Sequence, residues 1–104
     1  MGVREDLLAD YLPEMARLAD KLDRSVVRQD LLESLDVLHS LLGISGEAGA
    51  SALHQMVRAV YVPMVEERRW PVSSGWLEQI KALAIQTDEA LKAYGEAQSK
   101  VDAI

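Results

Sequence analysis

The chain has 104 residues, a formal net charge of −6, 49% hydrophobic residues and no cysteine. At this length one domain with one modest core is the default, and the apolar share excludes disorder. The acidic balance sets nucleic acid and anionic lipid aside as partners, since the only adjacent basic pair is Arg68–Arg69. Without cysteine there is no disulfide framework and no thiolate zinc site, which fits the cytoplasm. No apolar run approaches the ~20 residues of a membrane span, and Met1–Asp6 carries charge too early for a signal peptide.

In chain order, Leu7, Leu8, Tyr11, Leu12, Met15, Leu18, Ala19 and Leu22 recur at steps of three and four, one face of a helix. Pro13 falls within this set and predicts a short helix up to about Tyr11 and a second from Leu12 to Asp23. Asp23-Arg24-Ser25 reads as the first break, with Ser25 as N-cap of the next helix. That helix carries Val27, Leu31, Leu35, Leu38, Leu41, Leu42 and Ile44. Gly46 and Gly49 are expected to end it, because glycine takes the left-handed cap conformation.

A third segment runs from Ala50 through Leu53, Met56, Val57, Val60 and Met64, with a bend or fray expected at Pro63. Arg69–Gly75 reads as a loop, and Ser73 or Ser74 can cap the last helix, with Glu78 in its first turn. This helix carries Trp76, Leu77, Ile80, Leu83, Ala84, Leu91, Tyr94 and Val101. Residues 1–3 and 99–104 are expected to fray. No strand pattern, repeat or low-complexity tract is present. The reading is all-α: an antiparallel up-down four-helix bundle with a short additional N-terminal helix, one domain over residues 1–104.

Few residues can carry chemistry. His39 and His54 fall on different helices, without HExxH or His-x-x-Glu spacing, so no metal site is expected. Gly43, Gly46 and Gly49 follow a helix and not a strand, which excludes a phosphate-binding loop, and no GxSxG elbow frames a serine. His39 sits at the edge of the stripe of Leu31, Leu35, Leu38 and Leu41, with Asp36 beside it and Gly43 one turn further on. Glycine inside a helix costs ~1 kcal/mol against alanine. Two reasons would justify it: close approach of a partner surface, or helix–helix packing with His39 a boundary residue. His54 reads as a satisfied or exposed helix histidine. Arg68-Arg69-Trp70-Pro71 reads as a helix end with a packed tryptophan, and Met15, Met56 and Met64 as core fillers.

The spacing of His39-Ser40-Leu41-Leu42-Gly43-Ile44-Ser45-Gly46-Glu47-Ala48-Gly49-Ala50 resembles the signature of histidine-containing phosphotransfer (HPt) domains. That signature is His-x-Leu-Lys-Gly, a small or serine-rich stretch, then Gly-Ala six residues after the first glycine. His39, Ser40, Leu41, Gly43, Ser45, Gly49 and Ala50 fit, as do Tyr11-Leu12-Pro13-Glu14 upstream and Leu53 downstream. The resemblance covers nearly the whole chain in helix order and length.

The resemblance implies a phosphorelay role. His39 would accept a phosphoryl group from a receiver-domain aspartate and pass it to another receiver. The response-regulator receiver would supply Mg²⁺, and this chain would need no cofactor of its own. Partner docking would fall to Leu32, Asp36, Ser40, Leu42 and Gly43. The implied protein is a cytoplasmic monomer without nucleic-acid or membrane contact. It would not be an enzyme by itself, but a module of a hybrid sensor histidine kinase or a stand-alone relay protein. An imidazole is a competent nucleophile near neutral pH, and the transfer mainly needs in-line positioning and neutralised charge.

One departure stands out. The family carries lysine, sometimes arginine, where this chain has Leu42. Leu42 either extends the core or forms with Leu32 an apolar rim for a receiver helix. Either way phosphohistidine would be less shielded, unless Arg58 on the next helix substitutes. Two other readings remain: a helical module that docks receivers or kinases without accepting phosphate, and a plain structural bundle, which requires a buried His39.

Overall fold

Leucine and alanine at helical spacing give four helices and no strand among the described residues: α1 (Gly2–Val27), α2 (Leu31–Glu47), α3 (Ser51–Glu67) and α4 (Trp76–Asp102). The structure is a computed structural model that describes the backbone of residues 2–102 and the side chains of residues 14–93. α1 packs against α2 and α4, and α3 against the same two, while neither diagonal pair brings its backbones close. The helices therefore form a four-membered ring around one core. None is long and apolar enough to cross a membrane.

The core takes one face from each helix: Met15, Leu18 and Leu22; Leu35, Val37, Leu38 and Leu41; Leu53, Val57, Val60 and Met64; Trp76, Leu77, Ile80 and Ala84. Each large aliphatic side chain buried this way contributes about 1.5–3 kcal/mol. Met56 packs against this cluster half-buried, whereas Met15 and Met64 lie fully within it. The expected contributions of Leu7, Leu8, Tyr11, Leu12, Tyr94 and Val101 lie outside the described side chains.

The break expected at Pro13 is absent, since α1 runs through it as one helix of 26 residues. A mid-helix proline costs ~3 kcal/mol. Strong helix formers on both sides (Leu8, Ala9, Leu12, Glu14, Met15, Ala16) and packing of α1 on two neighbours offset this. The separate N-terminal helix expected before Leu12 is thus the first part of α1. Pro63 likewise does not end α3, which continues to Glu67. Helix covers the described part of the segments expected to fray, from Gly2 at one end to Asp102 at the other.

Ser25 is not a cap. It lies buried in α1, where its hydroxyl donates to the Leu22 carbonyl at 2.9 Å and pairs with Ser34 Oγ at 2.8 Å. The N-cap of α2 is Asp30, whose carboxylate accepts the Glu33 N–H at 3.0 Å. Val27, expected on α2, instead ends α1 and is exposed.

The two short connections use one device. Asp30 N–H donates to Ser25 O and Ala50 N–H to Ser45 O, both at 2.9 Å, closing the helix ends as in a Schellman motif. The left-handed residue is Gln29 (φ 57°) in the first and Gly49 (φ 71°) in the second. The third connection, residues 68–75, starts at the left-handed C-cap Arg68 and reaches α4 through Gly75. Trp70 stacks on Trp76 across it with centroids 6.5 Å apart, which is the packed tryptophan expected there.

Candidate functional site

Leu32, Asp36, His39, Ser40 and Gly43 are spaced by four, three, one and three residues along α2, and all five are exposed. Leu35, Leu38 and Leu41 on the opposite face are buried and anchor the helix. His39 is therefore held by a rigid element while its ring faces solvent, which a structural bundle with a buried His39 does not match. Leu42 is the exception among the expected docking residues: it is half-buried and packs against the core cluster. Of the two alternatives for Leu42, the extension of the core is the one realised, and Leu32 alone, 69% exposed, stands as an apolar rim.

Across the α2–α3 seam, the Tyr61 hydroxyl lies 3.4 Å from His39 Nδ1, with ring centroids 5.8 Å apart and tilted by 42°. Leu32, Leu35, Asp36, His39, Tyr61, Val65 and Arg68 line one shallow hollow. Either atom can donate in this pair; in the tautomer where Nδ1–H donates to the Tyr61 oxygen, the lone pair lies on Nε2. The hollow thus combines an imidazole, a hydroxyl that can set its tautomer, a cation, a carboxylate and an apolar rim. Arg58, considered at the sequence level as a substitute for the missing lysine, is exposed on α3 and does not line this hollow. Arg68 does.

Gly43 packs against nothing. A Cβ built there meets no heavy atom within 4 Å beyond its own helix backbone and chain neighbours. Helix–helix packing therefore does not account for it, and the space it leaves is open to the outside. Gly46 behaves differently, because a Cβ there would come within 3.3 Å of Cε1 and Nδ1 of His54. His54 is half-buried, and its Nδ1 lies 3.0 Å from the Leu42 carbonyl and 3.4 Å from Ser45 Oγ. It is the satisfied helix histidine of the sequence reading.

No group of three or more His, Cys, Asp or Glu side chains among the described residues is arranged to hold a metal ion. Sequence reasoning missed Tyr61, Val65 and Arg68. Tyr61 and Val65 share one stripe of α3, Arg68 follows at its left-handed cap, and the turn at Gly49 brings residue 61 beside residue 39. Compared with known proteins, the chain matches no family model, no curated protein and no solved structure.

Proposed function

We propose that this domain is a phosphorelay intermediate of the HPt type, with His39 as phosphoacceptor. One observation carries the reading: an exposed imidazole stands on a rigid helix, with an open Gly43 one turn beyond it that no internal contact requires. In the proposed step, the Nε2 lone pair attacks phosphorus of an aspartyl phosphate on a receiver domain. The P–O bond breaks, its electron pair returns to the aspartate carboxylate, and an N–P bond forms. The proton on Nδ1 stays in place, donated to Tyr61. Mg²⁺ would sit on the receiver, and the outer stripe of Leu32, Asp36, Ser40 and Gly43 would meet the receiver surface.

The same reading takes the bundle as antiparallel and up-down. Three-residue connections at 28–30 and 48–50 support this. So does the register across α2 and α3, where Ser45 faces His54 and, further from the turn on both helices, His39 faces Tyr61. It also takes the domain as a cytoplasmic monomer working in a longer kinase or beside one.

The test is transfer of label from phosphorylated receiver domains to the wild type, His39→Gln and His54→Gln. Acid-labile label on the wild type and on His54→Gln, with none on His39→Gln, supports the reading. No label on the wild type from any receiver of the source organism, or equal label on His39→Gln, overturns it.

A second reading, a docking module that binds receivers without accepting phosphate, is favoured by Leu42, which packs on the core where the family carries a cation. Under it, the wild type binds receivers in titration calorimetry yet takes no label, and Leu42→Lys restores transfer.

A further inference from the structure

Arg68 stands where an arginine is unfavourable. It caps α3 at φ 54° and ψ 42°, left-handed backbone that glycine adopts without strain and a residue with a Cβ does not. Among the described residues glycine fills two of the three other left-handed positions, Gly49 and Gly75, and Gln29 the third. Neighbouring Arg69 pairs with Glu67 at 2.9 Å, whereas Arg68 makes no ion pair among the described residues. Its side chain lines the hollow that holds His39 and Tyr61, with Asp36 the carboxylate facing the same space.

We propose that Arg68 is the cation that holds the phosphoryl group on His39, from α3 rather than from the α2 position occupied by Leu42. This rests on the phosphoacceptor reading of His39. A guanidinium offers a planar fork of donors that matches phosphoryl oxygens two at a time. It also offsets Asp36, whose charge opposes an incoming dianion. Tyr61 at Nδ1 and Arg68 at the rim would then act on the same ring, one on its proton and the other on its phosphoryl group.

The experiment loads the protein chemically with phosphoramidate, follows phosphohistidine decay by phosphorus NMR, and then follows transfer to receiver domains. Wild type, Arg68→Gly, Arg68→Lys and Arg58→Ala are compared, with thermal unfolding of each. Arg68→Gly is expected to shorten the phospho-His39 lifetime and slow transfer by about tenfold. Its unfolding midpoint should be unchanged or raised, because the strained cap is relaxed. Arg68→Lys should keep part of the lifetime, and Arg58→Ala should match the wild type. A purely structural Arg68 would instead lower the midpoint and leave the lifetime alone. Equal lifetimes in wild type and Arg68→Gly, or a loss carried by Arg58→Ala, overturn the proposal. If the loaded wild type shows the Arg68-dependent lifetime while no receiver donates to it, the relay reading falls and the Arg68 assignment stands.

Discussion

The two histidines occupy opposite environments on the α2–α3 seam. His54 is enclosed: its ring nitrogen reaches a helix carbonyl at 3.0 Å, and Gly46 makes room for the ring. His39 is open: among the described residues its one ring partner is a hydroxyl at 3.4 Å, and Gly43 makes room for none of them. The difference separates two uses of the same residue pair. Gly46 leaves room for a side chain already present, while Gly43 faces open space, which the proposed function assigns to a docking partner.

The largest expected effect breaks the comparison on chemistry. His39→Gln should lose label from a phosphorylated receiver entirely, and His54→Gln should keep it, as read by acid-labile counts on each purified variant. Stability should rank the two the other way. His54→Ala removes a half-buried ring and its bond to the Leu42 carbonyl, so it should cost about 1–3 kcal/mol in urea unfolding. His39→Ala should stay within about 0.5 kcal/mol of the wild type.

Those expectations rest on different depths of legibility. The four main helices, the turn at Gly49 and the exposed stripe of Leu32, Asp36, His39, Ser40 and Gly43 follow from periodicity and glycine placement, whereas the additional N-terminal helix did not form. Periodicity reports which face a residue occupies, so it served well there. The Pro13 break failed because a local propensity was outweighed by the residues around it and by packing on two sides. Ser25 misled because a serine near a helix boundary can cap a backbone or pair with another buried hydroxyl, and only Ser34 opposite decides which. Tyr61 meets His39 from α3, and Arg68 lines the same hollow from the cap of that helix; both placements depend on the register of the seam rather than on any pattern within α3. The chemistry proposed for His39 rests on the resemblance of the His39–Ala50 stretch, not on periodicity.

The glycines sharpen the comparison at a smaller scale. Gly43→Ala should raise unfolding free energy by about 1 kcal/mol, since alanine favours helix and the space is open. The same change should weaken receiver binding in titration calorimetry. Gly46→Ala gains the same propensity but presses on a His54 ring held by its hydrogen bond. Its net effect should fall below that of Gly43→Ala, and equal gains at the two sites would remove the distinction between them.

Tyr61→Phe tests the open side more finely. It should slow transfer a few-fold, about the effect of one weak hydrogen bond, with little change in stability. An unchanged rate would show that the hydroxyl does not set the tautomer.

The smallest effect is a control. Arg17 hydrogen-bonds Glu14 and holds its carboxyl below the ordinary value of 4.5, while Glu14 raises the Arg17 guanidinium. A carboxyl lowered on folding adds stability above its unfolded pKa, and that stability is lost as pH falls through the folded value. Both groups are exposed, so the effect is slight. Glu14→Gln should flatten only the acid limb of the stability profile and leave the gap between the His39 and His54 variants unchanged.

Every residue lining the hollow lies between Leu32 and Arg68, a single uninterrupted stretch of two helices and the three residues that join them. Closing so short a loop costs little chain entropy, and contacts close in sequence form fast. The α2–α3 pair should therefore gather in the early phase of folding, with α1 and the long α4 completing the core around it. In a stopped-flow experiment, substitutions along the His39–Tyr61 seam should slow folding more than they speed unfolding, and those at Ile80 or Ala84 of α4 the reverse.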